Sequence, residues 1–585
     1  MSTESFDVVI VGSGFGGSIT AWRLAELYRA AGVDPGRIAV LERGRRYGHT
    51  DFRQSMDIDH LSDVYLLIQG QGAQVVTANA VGGGSNLYLA ASLRAPTETF
   101  ERRDARPGDG PDRRMWPAAL SRATLDPYYA RAEKGLRVQR PTWDQVSKSG
   151  GLWAATLHHA GYTCDRVPLA ISEQRCVNAK WCHTGCIFGA KNSLITNYLW
   201  AAENAGVQVR PNLQVEQISQ TSARPYRYVV QADVMDNEGS NPTRMPSGQS
   251  LQLQCKVLVL AAGAMSTPPL LMRSHAGLPS LSSQVGHNLG VNGDHVAAIE
   301  YDPAKVRSVL GLPAYHEFYK GKPITTMSYD WFVGRRSNAY DGTRFTLQEI
   351  FLSSLTNFLY EGGRTVPGGP SWWGLEKKQA VAHWANRIEL LAMVEDTNDG
   401  TFYAPSSAGN AERTGPGPIA FGLFNYAMSE QSQAIRAAAN QVMAGLAARR
   451  GLGRFMALTE TQGVYCAHPL GGCRMADSAD LGVVDSTGAV YGYEGLYCID
   501  SSIIPTSLGV NPSLTISAVS ERCAEELVNR AEDFGLPKRP KSLVLRVPPQ
   551  HIGERVIPAV PHHRRRHRKR RHGRHHRRHR GRRHA

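Results

Sequence analysis

His468 and Asn511 are the side chains best suited to chemistry in this 585-residue chain. They lie in two Gly/Pro-rich stretches, CAHPLGGCRM from Cys466 and SLGVNP ending at Pro512, 43 residues apart (511 − 468). Alone, the first is a loop histidine and the second a helix cap. Together they offer an imidazole, with an ordinary pKa near ~6.5, to take the proton of an alcohol, and an amide to donate to the same oxygen. After Asn511, Leu514, Ala518, Cys523 and Leu527 recur at helical spacing, which predicts a helix with Asn511 as its N-cap and Pro512 as its first residue. Such a helix end, carrying about half a positive charge, suits a ring that becomes anionic on reduction. Such a combination can hold an alcohol against a flavin, with the cofactor carrying any redox step.

The elements that must position such a ring begin at the N-terminus. Val8 to Val11 reads as a parallel strand buried on both faces and runs into GSGFGG, with Gly12, Gly14 and Gly17 at GxGxxG spacing. Glycine there serves the tight turn, the close approach of a pyrophosphate and helix packing on the sheet. A helical pattern follows from Ser18 to Ala31, then a strand from Ile38 to Leu41 ending at Glu42, placed to accept a ribose hydroxyl. Glu42 is 25 residues beyond Gly17, a long spacing that the VDPGR turn explains. The unit predicts a dinucleotide site but leaves NAD and FAD open. A second glycine run, AVGGGSNLYLAASLRAP from Ala80, favours FAD, because Gly82, Gly83 and Gly84 with Ser85 let backbone lie against a flat or anionic group.

Two further clusters invite chemistry. In RFTLQEIFL, Phe345, Leu347 and Glu349 alternate along a predicted strand, placing a carboxylate on an apolar face. In CVNAKWCHTGCIFGAKN, Cys176, Cys182 and Cys186 with His183 offer soft ligands, yet three thiols at this spacing match neither zinc nor an iron–sulfur cluster. The expectation is a buried structural loop and no metal.

Five segments together carry a family resemblance: the N-terminal fingerprint, the GGGS run, LAAGAMSTPPLLMRS from Leu260 to Ser274, HPLGG from His468, and DSSIIPTSLGVNP from Asp500. In this order they resemble the glucose-methanol-choline (GMC) family of FAD oxidoreductases, most of all its bacterial cholesterol-oxidase branch. Two departures stand out. His275 follows Ser274 where the family signature closes on Ser-Gly, and Tyr88 stands where sterol oxidases carry asparagine, with Asn86 displaced. The resemblance implies that Gly12, Gly14 and Gly17 hold the FAD pyrophosphate, Glu42 the adenosine ribose, and Gly83, Gly84 and Ser85 the pyrophosphate or isoalloxazine. It places Val215 and Gly263 by the adenosine half, Asp500 near the ribityl chain, and Asn511 with Pro512 at the pyrimidine ring. His468 and Asn511 would face the substrate hydroxyl, and Glu349 would move a steroid double bond after oxidation. The implied activity is oxidation of a sterol 3-hydroxyl, with oxygen or another electron acceptor. The alternatives are another GMC reaction on a non-sterol alcohol or sugar, and a polyanion-binding protein on a degenerate flavin fold.

The implied fold is mixed α/β, a Rossmann-like FAD-binding domain from residues 1–100, 190–300 and 460–535 interleaved with a sheet-and-helix substrate domain from 101–189 and 301–459. Tyr315, Phe318, Tyr319, Trp331, Phe332, Phe351, Phe358, Trp372 and Trp373 are candidates to wall an apolar pocket. Composition agrees with a globular enzyme, with 42% hydrophobic residues. The formal charge of +15 is local: residues 562–584 carry 13 Lys and Arg, and subtracting these from 66 leaves 53 basic against 51 acidic residues. Residues 536–585 are therefore expected as a linker and a disordered Arg/His tail able to touch anionic surfaces. The N-terminus enters a strand at once with no signal-like segment, no stretch of ~18 apolar residues occurs, and nine cysteines suit reduced thiols, so a cytoplasmic protein is expected.

Overall fold

Phe6 and Val8 to Val11 are fully or nearly fully buried, as a strand covered on both faces must be. In the computed structural model they belong to Thr3–Val11, in the middle of a seven-stranded sheet. The structure describes residues 3–55, 58–104, 113–238, 243–313, 321–333, 344–351, 386–403, 419–457 and 464–551. The strand order is Gln208–Arg210, Ile38–Leu41, Thr3–Val11, Pro246–Leu260, Tyr228–Met235, Leu213–Gln220, and the first four run parallel. On the edge away from Thr3–Val11, Pro246–Leu260 has two successive partners: its first part pairs antiparallel with Tyr228–Met235, and Leu258 to Leu260 pair parallel with Leu496–Cys498. One sheet thus draws on the start, the middle and the end of the chain.

The helix Phe15–Ala30 packs beside Ser513–Asn529. Arg23 of the first, with no exposed surface, donates to Glu521 of the second at 2.7 and 2.6 Å and to Glu26 at 2.6 Å, and Tyr198 donates to Glu521 at 2.6 Å. A guanidinium so placed is tolerable only when its donors are used. A further donor goes to the carbonyl of Arg546, at 2.7 Å.

That contact corrects the expected linker after residue 535. Residues 536–551 run as a strap. Arg546 also receives Trp22 Nε1 at 3.3 Å and donates its N–H to Glu26 at 2.6 Å; the N–H of His551 donates to the Thr196 carbonyl at 2.9 Å, and its ring stacks on Trp200 at 5.2 Å. The strap is held through backbone bonds together with side-chain contacts such as Gln550 Nε2 to Asn192 at 2.8 Å, which a composition of Pro and Lys does not reveal. The chain divides into Met1–Ile552 and Gly553–Ala585, and the Arg/His block lies outside the described residues. Among the described residues no helix is long and apolar enough to cross a membrane.

A second, antiparallel sheet has the order Gly453–Ala457, Asp294–Tyr301, Arg387–Val394, Phe345–Ile350, Ile324–Ser328, Asp165–Arg166. Asp294–Tyr301 belongs to this sheet, so the domain boundary expected at residue 300 falls near the end of that strand rather than before it. Alternation gives its strands two apolar faces. Ala297, Ile299, Leu347 and Leu390 pack with Leu152, Trp153, Ile435 and Met443 of the helices Lys148–His159 and Glu430–Ala448. Val296, Ile324, Ile350 and Leu391 face the other way, toward a large cavity. A third sheet, which includes Tyr65–Gln71, Ala73–Ala78 and Val464–Cys466, supplies another wall of that cavity.

Candidate active site

The cavity, of about 810 Å³, is built around two glycine turns. A Cβ on Gly12, whose φ is +97°, would lie 2.4 Å from the carbonyl oxygen of Ala261, and one on Gly17 would lie 1.9 Å from the carbonyl oxygen of Gly12. Those glycines let protein pack on protein. Gly14 and Gly84 differ, since a Cβ on either would meet no atom within 4 Å, and both line the cavity. Gly83 brings the two turns together, its Cβ position lying 2.9 Å from Gly14 Cα. Bare backbone from both turns therefore meets at the N-terminus of the helix Phe15–Ala30, a cradle for an anionic group.

Glu42 and Asp500 line the same cavity while fastening its turns. Glu42 accepts from Ser13 Oγ at 2.6 Å, Ser13 N–H at 3.1 Å and Gly44 N–H at 2.8 Å, and Ser13 Oγ in turn accepts the Gly82 N–H at 2.9 Å. One carboxylate thus links both glycine turns. Asp500 accepts from Gly263 N–H at 2.7 Å, Thr267 Oγ1 at 2.6 Å and Ser502 N–H at 2.7 Å. Burial pushes both carboxyls above their ordinary range. Val215 and Gly263 also border the cavity, but Ser85 does not. Its hydroxyl donates to the Gly82 carbonyl at 2.7 Å and accepts from Leu194 N–H at 3.0 Å, which corrects the expectation that it lines the site.

His468 and Asn511 come together as expected: Asn511 Nδ2 lies 3.4 Å from His468 Nε2, and both residues line the cavity with Pro512. Asn511 is not the helix cap, however. The helix begins at Ser513, Pro512 occupies the N-cap position, and its carbonyl accepts Ile516 N–H at 2.9 Å. The Asn511 side chain is thereby released from capping, and among the described residues its buried Oδ1 has no partner. The sequence pattern marked the helix end one residue early because Asn-Pro satisfies cap statistics whether or not the amide turns back to the helix.

The segment that holds both loops was not anticipated. Asp294, at the start of its strand and 4% exposed, has both carboxylate oxygens 2.8 Å from His468 Nδ1, and Oδ2 accepts Ala467 N–H at 3.1 Å. Gly290 and Leu470 exchange two backbone hydrogen bonds, and Cys466 Sγ donates to the Val291 carbonyl at 3.3 Å. Asn292, held in the left-handed region at φ +53°, accepts Leu508 N–H at 2.7 Å and donates to the Val510 carbonyl at 2.9 Å. Residues 290–294 therefore fasten the histidine loop and the asparagine loop to one strand. The signal in the sequence was the alternation Asp294, Val296, Ala298, which puts a carboxylate on an apolar face.

Glu349 does not join this site. It does share a face with Phe345 and Leu347, but that face looks toward the helices: Glu349 pairs across the sheet with Leu390 and does not line the cavity, whereas its neighbour Ile350 does. Ser149 donates to it in a short hydrogen bond, and Thr325 donates through N–H at 3.3 Å and hydroxyl at 3.2 Å. Lys180, which donates to Ser149 at 2.9 Å, is driven down to about 8 by burial, with Glu349 opposing the shift. A strand with apolar residues on both faces gave the sequence no means of telling which face met the site. The expected aromatic wall is also corrected. Of the described candidates Trp331, Phe332 and Phe351, none lines the cavity, and Trp331 packs with Tyr162 at 4.6 Å. Tyr315, Phe318, Tyr319, Phe358, Trp372 and Trp373 lie outside the described residues. The wall instead combines aliphatic side chains, such as Leu66, Ile68, Val76, Ile324, Ile350 and Leu391, with Tyr65, Tyr88 and Tyr465.

The Cys-rich loop contributes through a residue the sequence reading passed over. Lys191 is buried, and its ammonium donates to the carbonyls of Cys182 at 2.6 Å, Tyr88 at 3.1 Å and, in a short bond, Asn86. It clamps this loop to the second glycine run. Cys176, Cys182 and Cys186 are free thiols, and among the described residues no group of three or more His, Cys, Asp or Glu could hold a metal ion. His183 lines the cavity, neither ring nitrogen has a partner among the described residues, and burial lowers it to about 4.

Comparison with known proteins bears on this arrangement. The GMC oxidoreductase family models match residues 6–295 and 425–520. A cholesterol oxidase of Mycobacterium tuberculosis is 27% identical over 610 residues, spanning 95% of this chain and 96% of the relative. A long-chain-alcohol oxidase of Arabidopsis thaliana is 24% identical over 570 residues, spanning 90% of this chain and 68% of the relative. Solved structures share the fold. A formate oxidase superposes with a TM-score of 0.58 at 15% identity, covering 91% of this chain and 100% of its own, and an FAD-dependent oxidoreductase from Chaetomium thermophilum with 0.56 at 16%, covering 90% and 100%.

Proposed function

Because the chain belongs to the GMC oxidoreductase family, flavoproteins that take FAD and act on alcohols, we propose that it oxidises an apolar alcohol, with a sterol 3-hydroxyl as its substrate class. The observation that carries the reading is the composition of the cavity: aliphatic side chains from two sheets, with Tyr65, Tyr88 and Tyr465 and a few polar groups such as Gln74 and Thr77 among them, beside the pair His468 and Asn511. An apolar body is favoured by the aliphatic part of such walls at about 25 cal/mol per Å² buried, while a sugar pressed against it would lose hydrogen bonds to water that those side chains do not replace.

The cradle fits the group the family requires. Gly14 and Gly84 would take the pyrophosphate on bare backbone, with Glu42, Val215 and Gly263 along the adenosine half and Asp500 near the ribityl chain. Asn511, Pro512 and the helix end at Ser513 would border the pyrimidine ring, where unpaired N–H groups favour negative charge. Bound there, FAD would supply the acceptor for the hydride of the alcohol carbon. His468 takes the hydroxyl proton at Nε2, and the Asn511 amide orients the alcohol oxygen. The aliphatic walls exclude water, which strengthens both polar contacts.

A linear long-chain alcohol is the second reading, favoured by the same wall. Anaerobic flavin bleaching across sterols, long-chain primary alcohols, sugars and short alcohols tests both, and admission of air then tells whether oxygen is the acceptor. Sterols should bleach the flavin fastest. Faster bleaching by a sugar would overturn the reading, and faster bleaching by linear alcohols would select the second one.

A further inference from the structure

We propose that Asp294 is a positioning residue that sets the protonation of His468, leaving Nε2 as the proton acceptor and balancing the charge of the imidazole once it is protonated. The inference rests on the reading of His468 as the group that takes the hydroxyl proton. Its own support is geometric. Both oxygens of Asp294 lie 2.8 Å from Nδ1, and an ionised carboxylate only accepts, so Nδ1 must carry hydrogen. A neutral imidazole with hydrogen on Nδ1 has its lone pair on Nε2. The amide of Asn511, 3.4 Å from Nε2, matches that tautomer by donating to it.

Asp294 is itself fixed. Its Oδ2 accepts Ala467 N–H at 3.1 Å, and Arg436 donates to its backbone carbonyl. The remaining ionisable surroundings agree with a single charge facing the imidazole. Cys466, whose Sγ receives His468 N–H at 3.1 Å, is kept a neutral thiol, chiefly by burial and then by Asp294. Asp396 is turned away, accepting Val291 N–H at 3.1 Å, Ser432 at 3.1 Å and the hydroxyl of Tyr426 at 2.5 Å. His295, the next residue, points to the opposite face and meets Asn440 at 2.7 Å. Tyr465 borders the cavity from the neighbouring strand.

Proton transfer then balances without a further reactant: the hydroxyl O–H bond breaks, an N–H bond forms at Nε2, and the positive charge of the imidazolium is balanced by the Asp294 carboxylate, which accepts from Nδ1–H. An asparagine at 294 would place an amide N–H beside Nδ1 whenever its oxygen serves Ala467, inverting the tautomer. The loss for a wrong-tautomer Asp–His pair is on the order of 10⁴ in turnover.

The test compares wild type, Asp294→Asn, Asp294→Glu and His468→Gln as flavin-loaded full chains, by steady-state kinetics against pH and by the nitrogen resonances of isotopically labelled histidine, with His468→Gln assigning the signal. Asp294→Asn should lower kcat by roughly 10²–10⁴ with KM changed less than about threefold. The acid limb of kcat/KM should move to lower pH, because the protonated imidazole loses its counter-charge, and the His468 resonances should leave the Nδ1–H pattern. Asp294→Glu keeps the charge and should keep the acid limb in place; it decides the matter if the asparagine variant loses flavin. Wild-type kcat with an unmoved acid limb in Asp294→Asn, an unchanged His468 spectrum, or an acid limb shifted alike in both variants would overturn the proposal. Should His468→Gln oxidise alcohols at the wild-type rate, the reading of His468 fails, and the histidine spectrum still decides whether Asp294 fixes the tautomer.

Discussion

His468 stands where three demands meet: an acceptor nitrogen toward the cavity, a carboxylate behind it, and an amide beside it. Replacing it with alanine is expected to lower turnover by roughly 10²–10⁴ while the flavin stays bound, since the cradle that would hold FAD lies elsewhere in the cavity; retained absorbance of the bound flavin with near-wild-type kcat would remove its assignment. Glu349 makes the opposite case. Glu349→Gln should leave turnover within about threefold yet cost about 1–3 kcal/mol in denaturant unfolding, because the amide removes the charge that faces Lys180 and must either turn the Ser149 hydroxyl into an acceptor or set its donor against the Thr325 N–H. Residue identity was legible for His468 and Asn511, since both occur in segments that few other functions explain. Orientation was not. Whether Asn511 turned toward the helix or toward the imidazole, and whether Glu349 faced the cavity or the helices, depends on partners far away in sequence, and Asp294 became recognisable only once its strand lay under residue 468.

At the level of the element, the two glycine turns separate protein packing from ligand contact. Gly17→Val should abolish folding, since its Cβ would sit 1.9 Å from the carbonyl oxygen of Gly12, whereas Gly14→Val should fold and lose FAD, since no protein atom lies within 4 Å of that position. Circular dichroism with flavin absorbance distinguishes the two, and a Gly14→Val protein with full flavin content would contradict the cradle. The first strand, turn and helix were readable because period and glycine spacing are local; the abutment of Gly83 on Gly14 was not, because it joins turns from separate parts of the sequence. The Cys-rich loop yields a pH prediction. His183 is lowered to about 4 by burial, and the Lys191 charge adds to the effect. The unfolded chain takes up this proton near its ordinary ~6.5 and the folded chain only near 4, so this residue makes stability fall as pH drops across that window. His183→Phe should remove that part of the acid-side loss and cost little at neutral pH, neither ring nitrogen having a partner among the described residues. Parallel pH–melting curves for both proteins, with an unchanged acid slope, would refute the cause.

On the scale of the whole molecule, the sheet, the strap and the basic tail have separate weights. A chain ending at residue 552 is expected to keep wild-type turnover and stability, whereas one ending at residue 535 should lose at least about 1–3 kcal/mol, because it removes the Arg546 carbonyl from Trp22 and the buried Arg23. Equal melting temperatures for the two trimmed chains would show that the strap contributes nothing. The α/β class was legible from the order of the motifs; the strap was not, because its backbone bonds leave no mark in the sequence and its side-chain contacts, such as His551 on Trp200, fall on partners far away in the chain. The pairing of Leu258 to Leu260 with Leu496 to Cys498 has a consequence for biosynthesis. Gly16 lies against the carbonyl of Ile499, and Asp500 clasps Gly263, so strands translated early have their last neighbour only once residues 496–500 have been made. Until then a ribosome-bound chain must carry an incomplete sheet, with apolar edges that attract chaperones or other chains. Cofactor capture is therefore expected to follow assembly of this sheet, and FAD supplied during expression should raise yield by trapping assembled chains rather than by guiding partly made ones.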